Sequence, residues 1–357
     1  MKEIAILTLY DNINFGNKLQ NFAVQTIFEN LGYHCTTITY KEILKEIRWK
    51  GWIAYCLGFP KKKAKEKRMI VRRKRAFADF SNTYLNIEKP IYFRQAAPKL
   101  IKRFDYYVTG SDQVWHNWTS TKDELEYFFL EFVPEEKRIC IAPSFGFESI
   151  PDKFRDSYIK GLQGFRYLSC REISGCKMIS ELIDREAELL IDPTMVLTVE
   201  DWDKISKNPK FEIPNKYILV YFLGEMAVED KSLIDTFAKE QNLNVINIYS
   251  LDDEKYYYTD PSEYLYLIKN ASFVCTNSFH GCVFSILYNI NFGVFERKDK
   301  EGSKMYSRLS TLLSKFGFED RMIESKEKFS SVDFSQVNNI LQDERKKVYA
   351  FLEKSMI

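Results

Sequence analysis

The sequence lacks a long apolar run and an excess of charge of either sign. No stretch of its 357 residues reaches the roughly 18 consecutive apolar residues that a membrane-spanning helix needs. Lysine and arginine together number 52 against 50 aspartates and glutamates, a formal charge of +2. Because the charges nearly cancel, no overall field attracts nucleic acid. We therefore expect neither a membrane-spanning protein nor a nucleic-acid-binding one.

Cysteine and histidine are too scattered to predict a metal site. The seven cysteines are odd in number, and no pair has the C-x-x-C spacing. They are typical of buried free thiols in a reducing compartment. The three histidines, His34, His116 and His280, are far apart and form no H-E-x-x-H motif. We expect no zinc site and no other bound metal.

The amino terminus has no apolar segment long enough for a signal peptide. Residues 4–10 form a short apolar run that ends at Asp11, which is typical of a first β-strand. We expect a cytoplasmic protein whose contact with a membrane would be peripheral, at its inner face.

The sequence is rich in apolar residues arranged as alternating strands and helices. With 45% hydrophobic residues and a length of 357, the chain suits two globular domains. Strand patterns at 4–10 and 33–40 flank a helical pattern, as in a βαβ unit, and further strand patterns lie at 106–109, 138–143 and 167–170. The alternation resumes with strand patterns at 217–223, 244–248 and 272–276 and helical patterns near 231–240 and 261–270. We predict an α/β fold of two Rossmann-like domains, 1–200 and 201–332, facing across a cleft in the glycosyltransferase-B type of architecture. Residues 333–357 are predicted to form a helix that packs across the junction.

An aromatic stretch at 49–60 precedes a strongly basic run at 61–75. The basic run indicates a helix with a solvated face. Together the two segments also resemble an interfacial helix beside a basic one, which would dock on an anionic membrane surface. Nucleic-acid binding is a third interpretation of the basic run, but no recognition motif accompanies the charge.

The densest chemical signal lies at residues 272–285. A buried strand ends there in a polar turn, and a helix is predicted to start at or near Gly281. The turn brings Thr276, Asn277, Ser278 and His280 to a helix N-terminus, where exposed N–H groups and the helix dipole favour a phosphate or carboxylate. Alternatively, Ser278 or Asn277 simply caps the helix and His280 fills a gap in the packing.

This stretch resembles the corresponding motif of the polysaccharide pyruvyl transferases, and further short motifs follow in that family's order along nearly the whole chain. They are Asn14-Phe15-Gly16-Asn17-Lys18-Leu19-Gln20-Asn21, Gly110-Ser111-Asp112-Gln113-Val114-Trp115, Ser169-Cys170-Arg171-Glu172, Ile191-Asp192-Pro193-Thr194 with Trp202, and Ser307-Arg308-Leu309. One departure is Ser278, because many members of the family carry an arginine two residues before the histidine. One phosphate or carboxylate contact is therefore missing or supplied from elsewhere.

The resemblance implies transfer of a pyruvyl group from phosphoenolpyruvate to sugar hydroxyls, forming a ketal, in the biosynthesis of cell-surface polysaccharides such as capsule or exopolysaccharide. No cofactor is implied, since phosphoenolpyruvate is a substrate. The partners would be phosphoenolpyruvate and a saccharide acceptor, either free or lipid-linked, and no nucleic acid.

On the donor side, a doubly anionic substrate calls for cations. Arginine suits this role better than lysine because its planar fork matches carboxylate and phosphate. The candidates are Arg171, at the end of a strand, Arg308, in a loop before a helix, and Lys304. Ordinary surface charge is the alternative for each. Thr276, Asn277, Ser278 and Gly281 complete the predicted donor site.

For catalysis, His280 is predicted to protonate C3 of the donor or to assist the departing phosphate, and Asp112 to accept the hydroxyl proton. On the acceptor side, neutral amides and an aromatic ring are predicted to hold the sugar: Asn14, Gly16, Asn17, Gln20, Asn21 and Trp115, with Trp118 as a second stacking ring. Alternatively, Gly16 makes the turn and the amides satisfy backbone groups.

Two other functions suit the same sequence. A nucleotide-sugar-dependent glycosyltransferase would have the same architecture and a similar anion-binding helix. A catalytically inactive, carbohydrate-binding relative would retain the fold, and Ser278 in place of arginine would be its mark.

Overall fold

The structure is a computed structural model that describes residues 2–10, 13–39, 61–88, 101–297, 306–325 and 328–356, without the side chains of 61–64 and 306. One predicted donor-binding residue, Lys304, and the aromatic stretch at 49–60 lie outside the described residues.

The first sheet is built from four parallel strands. They are β1 (Glu3–Leu7), β2 (His34–Thr37), β3 (Tyr106–Thr109) and β4 (Arg138–Cys140), in the order β2-β1-β3-β4. The central strand β1 is apolar because both of its faces are covered, as is usual in parallel sheets. A separate parallel pair, β5 (Ser169–Cys170) and β6 (Glu188–Leu189), follows in the chain.

The second sheet repeats this arrangement. It contains β7 (Tyr217–Tyr221), β8 (Asn244–Asn247), β9 (Phe273–Thr276) and β10 (Phe292–Val294), all parallel, in the order β10-β9-β7-β8. The prediction of β3 is confirmed residue for residue. The short strand β10 was not predicted from the sequence.

Helices connect the strands and cover the sheets. They are α1 (Phe15–Asn30), α2 (Lys61–Tyr84), α3 (Lys122–Phe128), α4 (Arg155–Gln163), α5 (Ile173–Ile183), α6 (Pro193–Val196), α7 (Val199–Asp203), α8 (Val228–Glu240), α9 (Glu254–Tyr257), α10 (Pro261–Lys269), α11 (Phe279–Leu287), α12 (Tyr306–Phe316) and α13 (Val337–Ser355). Short 3-10 turns lie at Glu135–Lys137, Asp152–Phe154 and Glu319–Arg321.

The two halves share one continuous apolar core. Phe15 of α1 stacks on Tyr264 of α10, with ring centroids 4.5 Å apart. The C-terminal helix α13 returns to the first half, where Arg345 donates to the carbonyls of Met195 at 3.0 Å and Leu197 at 2.8 Å. The domain limits at residues 200 and 332 stay predictions, because buried side chains pack continuously between the sheets.

Arg73 of α2 makes a further link between the halves. Its guanidinium is fully buried and donates to the carbonyls of Ile13 at 3.2 Å, Ile248 at 2.9 Å and Tyr257 at 2.7 Å. The basic helix is therefore anchored by one face. Its opposite face, with Lys67, Arg68, Lys74 and Arg75, is exposed.

The six described cysteines are free thiols, and five of them are buried. Within the described residues, no helix is both long and apolar enough to cross a membrane. In the same residues, no cluster of three histidine, cysteine or acidic side chains is placed to hold a metal ion.

Candidate active site

Five ionisable side chains meet where strands of both sheets end. Asp112 follows β3, Arg171 follows β5, Asp192 follows β6, His280 follows β9, and Arg308 comes from α12. We call these five residues the ionic cluster. Carboxyl ends of parallel strands are the usual ligand-binding edge of such sheets.

Arg171 is the centre of the ionic cluster. Its side chain is fully buried and lies 2.8 Å from Asp112 Oδ1 and 2.5 Å from Asp192 Oδ2. Burial alone would lower the pKa of this guanidinium, but the two carboxylates outweigh it and raise the pKa. The Phe279 ring covers the guanidinium at 4.3 Å. Arg171 therefore carries a fixed charge, not the ordinary surface charge of the alternative interpretation.

Asp192 is held from several sides. It caps α6, where Oδ1 accepts from the Thr194 amide at 3.0 Å and the Thr194 hydroxyl at 2.7 Å. Oδ2 lies 2.8 Å from the Ser111 hydroxyl and 3.8 Å from His280 Nε2. Burial would raise the pKa of this carboxyl, but His280, Arg171 and Thr194 together hold it well below its usual range. Asp192 is therefore a permanent anion facing the imidazole.

Asp112 occupies a left-handed backbone conformation, with φ of 69°, which aspartate tolerates better than most residues. Its carbonyl accepts from the Ser144 amide at 2.8 Å, so the turn is fixed between the ends of β3 and β4. Burial would raise the pKa of the Asp112 carboxyl, but Arg171, His280 and Arg308 lower it. A lowered pKa makes this carboxylate a weak base, and the role of Asp112 as the base stays a prediction.

His280 lies in the first turn of α11, which begins at Phe279, two residues earlier than predicted. Gly16 packs against the imidazole so closely that a Cβ at this glycine would come within 2.0 Å of Nδ1. The absence of a side chain at Gly16 therefore leaves room for the imidazole. Gly16 lies inside α1, so it does not make the turn that the alternative interpretation assigned to it. Gly281 similarly lets α11 approach Thr276, whose Oγ1 would be 2.4 Å from an added Cβ.

Arg308 lies within α12, so its predicted position in a loop is wrong. Its side chain is 11% exposed, and Nη1 is 4.0 Å from Asp112 Oδ1. Burial and the like charge of Arg171 lower the pKa of Arg308 to about 10, although Asp112 opposes this shift. Unlike Arg171, this buried guanidinium is only partly neutralised.

Three nitrogens of the ionic cluster have no hydrogen-bond partner among the described residues. They are Nε of Arg171, Nε of Arg308 and Nε2 of His280. Buried polar atoms are rarely left unsatisfied, because each costs about 1–3 kcal/mol. Together with the N-terminus of α11, they form a setting that would stabilise a small anion.

The predicted donor-binding turn has mainly structural contacts. Thr276 Oγ1 donates to the Tyr221 carbonyl at 2.6 Å and accepts from the Ser278 amide at 3.0 Å. Asn277 accepts from the Leu223 amide at 2.7 Å and donates to its carbonyl at 3.2 Å. The polar atoms of the Thr276 and Asn277 side chains therefore join the ends of β7 and β9, and their contacts to the donor stay predictions. Ser278 occupies the N-cap position without a side-chain capping bond.

Most of the predicted acceptor residues belong to the interior. Asn14 caps α1 by accepting from the Gly16 amide at 2.9 Å. Gln20 and Asn21 are buried, with hydrogen bonds to Thr8 at 2.5 Å and Thr37 at 3.0 Å. Gln20 and Asn21 hold α1 to the first sheet. Acceptor binding by the three amides stays a prediction. Asn17 is also buried, and its predicted role remains untested.

Trp115 is another correction. Its side chain has 0% exposure and packs between Phe129 and Phe145, with ring centroids 5.3 and 5.2 Å away. A ring enclosed on both sides has no face for a sugar. Trp118, in contrast, remains 44% exposed.

Three residues of the site were not predicted: Asp192, Ser111 and Glu172. Glu172 is fully buried, and its Oε1 accepts from the Ser144 hydroxyl at 3.0 Å and the Phe145 amide at 2.8 Å. The Asp-Pro pair at 192–193 was the available signal, since it marks a helix start directly after a strand. The partnership of Asp192 with His280 joins residues 88 positions apart and had no local signal.

Solved structures of similar architecture define the fold class. The chain superimposes on a UDP-N-acetylglucosamine 2-epimerase from Listeria monocytogenes with a TM-score of 0.50 and 7% identity, over 98% of this chain and 91% of that one. A UDP-bound MnaA structure from S. aureus aligns at 0.49 and 8%, over 99% and 91%. The glycosyltransferase SnogD from Streptomyces nogalater aligns at 0.42 and 9%, over 99% and 97%. The predicted α/β fold of the glycosyltransferase-B type is confirmed by the two parallel sheets and the first of these similarities.

The family follows from the sequence itself. The model of the polysaccharide pyruvyl transferase family matches residues 14–299, most of the chain. The chain therefore belongs to the polysaccharide pyruvyl transferase family, and the prediction of this family is confirmed. No protein with a curated description matches the sequence.

Proposed function

We propose that the protein transfers the pyruvyl group of phosphoenolpyruvate to two hydroxyls of a sugar, forming a ketal in polysaccharide biosynthesis. The observation that carries this proposal is the set of three unpartnered nitrogens on Arg171, Arg308 and His280. Phosphoenolpyruvate carries a phosphate and a carboxylate, and such groups take charge-assisted hydrogen bonds from guanidinium forks.

Arg308 is the main donor-binding cation in this proposal. Arg171 is already neutralised by Asp112 and Asp192, whereas Arg308 faces one carboxylate at 4.0 Å. An anion beside Arg308 would offset the cost of burying its charge. Arg308 would thereby supply the contact that Ser278 lacks in place of the family's usual arginine.

His280 would exchange the protons of the reaction. In the overall balance, one hydroxyl proton ends on C3 of the donor and the other on the departing phosphate, while two C–O bonds form at C2 and the bond to phosphate breaks. Imidazole is suited to both giving and taking a proton near neutral pH. Asp192, 3.8 Å from Nε2, would stabilise the protonated ring. Asp112 would position Arg171 and Arg308.

The test is product formation with defined acceptors. Purified protein is incubated with phosphoenolpyruvate and a panel of lipid-linked and free oligosaccharides, and phosphate release and glycan mass are measured together. We expect stoichiometric phosphate and a mass increase equal to one pyruvate ketal on at least one acceptor. Phosphate release without a modified glycan, or no release with any acceptor, would contradict the proposal.

The nucleotide-sugar alternative is separated by ligand binding. Thermal unfolding is measured with phosphoenolpyruvate, UDP and UDP-sugars at equal concentrations. We expect stabilisation by phosphoenolpyruvate, since a ligand that binds only the folded state raises its stability. Stabilisation by UDP and not by phosphoenolpyruvate would favour a glycosyltransferase, and no response to either would favour an inactive relative.

We further propose that the exposed basic face of α2 docks on an anionic membrane surface and brings the site to a lipid-linked acceptor. Lys67, Arg68, Lys74 and Arg75 are exposed on this face, while Arg73 anchors the helix. Each basic residue near such a surface contributes about 1 kcal/mol of attraction.

Vesicle sedimentation tests this docking. Wild-type protein should bind phosphatidylglycerol vesicles and lose binding at high salt. Replacement of the four basic residues by glutamine should abolish binding, whereas the same replacement of Lys153, Lys177, Lys239 and Lys346, which are exposed elsewhere, should not. Equal binding by both variants would contradict the proposal.

A further inference from the structure

We propose that the exposed ring of Trp118 is the platform on which the acceptor pyranose stacks. This inference rests on the proposed function, because it assigns the acceptor's place in the same site. Of the two tryptophans on the loop that follows β3, Trp115 is enclosed and Trp118 is 44% exposed. Tryptophan is enriched at interfaces because its indole combines an apolar face with a polar N–H.

The ring is fixed in place before any ligand arrives. Its Nε1–H donates to the Gln113 carbonyl at 3.1 Å, and the His116 ring lies against it at 4.1 Å between centroids. His116 is itself held, with Nδ1 2.8 Å from the Phe145 carbonyl and its ring 5.4 Å from that of Phe147. A ring that is already ordered loses little conformational entropy on binding.

The backbone of the loop turns sharply on both sides of Trp118. Asn117 and Ser120 have positive φ, 59° and 52°, a conformation that asparagine tolerates better than most residues. Asn117 Oδ1 accepts from the Thr121 amide at 3.1 Å, which stabilises the turn. The turn places Trp118 at the surface directly after the buried Asn117, and Thr119 and Ser120 are exposed as well.

The platform lies beside the ionic cluster. The carbonyl that anchors Trp118 belongs to Gln113, the residue directly after Asp112. The Gln113 side chain packs against Gly146, where a Cβ would come within 1.8 Å of its amide nitrogen. Gly146 follows Phe145, whose amide is bound by Glu172, the neighbour of Arg171. Chain connectivity therefore brings Trp118 to the same strand edge as the proposed donor site.

The chemistry of an indole face defines the ligand class. The negative π face attracts the weakly positive C–H groups that a pyranose presents on its less polar face. The hydroxyls on the ring edge stay available for attack on the donor. We therefore expect a pyranoside with one face free of axial hydroxyls.

Intrinsic fluorescence and thermal shift test this assignment in the same samples. Methyl glycosides of glucose, galactose, mannose and N-acetylglucosamine are titrated into wild type, Trp118→Ala, Trp118→Phe and, as a control, Tyr349→Ala, which removes an exposed ring on α13. We expect saturable binding of at least one glycoside to wild type and the control, at least tenfold weaker binding to Trp118→Ala, and partial recovery in Trp118→Phe. Stabilisation by phosphoenolpyruvate should be equal in all four proteins.

Two outcomes would overturn the assignment of Trp118: no glycoside binds to wild type, or a glycoside binds to Trp118→Ala as tightly as to wild type. Both are distinct from failure of the proposed function, which would appear as absence of the phosphoenolpyruvate response in every protein.

Discussion

The amide-rich start of α1 and the ionic cluster are both rich in polar side chains, but they differ in charge. In α1, Asn14 caps the helix, Gln20 bonds to Thr8, and Asn21 bonds to Thr37, although Gln20 Oε1 and Asn21 Nδ2 have no partner among the described residues. In the ionic cluster, the nitrogens that lack a partner there belong to two arginines and a histidine. The neutral amides therefore suit the scaffold or a neutral ligand, whereas the cluster suits an anion.

The comparison also distinguishes two buried arginines. Among the described residues, Arg171 has two carboxylates within 2.8 Å, whereas Arg308 has one at 4.0 Å. Burying an incompletely neutralised charge costs stability unless function requires it. Substitutions around Arg171 should therefore mainly affect stability, and substitutions of Arg308 should mainly affect activity.

The largest effect is expected at the imidazole. His280→Gln should lower the rate of pyruvyl transfer by about 10²–10⁴, the usual contribution of a proton-transfer group, without unfolding the protein. The measurement is phosphate release at saturating phosphoenolpyruvate. The control His34→Gln changes a half-exposed histidine on β2 and should keep full activity. Equal rates in both variants would remove His280 from the mechanism.

The next effect concerns stability at the centre of the cluster. Asp192→Ala removes a partner of a buried ion pair and should lower the free energy of unfolding by about 3–5 kcal/mol. Urea denaturation at neutral pH measures this change. A loss below about 1 kcal/mol would show that Arg171 does not depend on Asp192.

The same carboxyl predicts a pH dependence. Its pKa is depressed in the folded protein, so the stabilisation is present above the unfolded pKa of about 4 and is lost as the pH falls through the folded value. Wild-type stability should therefore decline below about pH 4 more steeply than that of Asp192→Asn. If the free energy of unfolding of the two proteins falls equally between pH 7 and pH 2, this prediction is contradicted.

A smaller loss of activity is expected from crowding the imidazole. Gly16→Ala places a methyl group 2.0 Å from His280 Nδ1, so the ring must move, and transfer should fall about tenfold because a misplacement of 1 Å has large kinetic effects. Gly161→Ala creates a similar clash, 2.3 Å from the Phe129 ring. This control should lose stability but keep its affinity for phosphoenolpyruvate.

The smallest functional effect is expected in α1. Gln20→Met removes the amide that donates to the Thr8 hydroxyl, which keeps its own bond to the Ser111 carbonyl, and should cost about 0.5–1.5 kcal/mol of stability. The KM values for both substrates should stay unchanged, because Gln20 has no exposed surface. A raised KM for the acceptor in a protein of intact fold would restore Gln20 to the acceptor site.

The sequence predicted most of the fold, because apolar periodicity is a local signal. The strands at 106–109, 244–247 and 273–276 and the helices α8, α10 and α13 were located within a few residues. The two-residue strand β6 and its pairing with β5 were beyond this approach, since this pairing depends on neighbours far along the chain.

The site was harder to predict than the fold. Arg171, His280 and Arg308 were named from residue chemistry and the family resemblance, and they do converge. Trp115 was assigned to the acceptor because an aromatic residue near a strand end suits either a ligand or the interior. Its full burial shows that it belongs to the interior, and burial depends on the tertiary structure.

Calorimetric titration of phosphoenolpyruvate into wild type, Arg308→Gln and the exposed control Arg155→Gln tests the central claim most directly. We predict that wild type and the control bind with equal affinity, while Arg308→Gln binds at least tenfold more weakly and melts at the same or a higher temperature. Unchanged affinity in Arg308→Gln, or no heat of binding in wild type, would contradict the assignment of the unpartnered nitrogens to the donor.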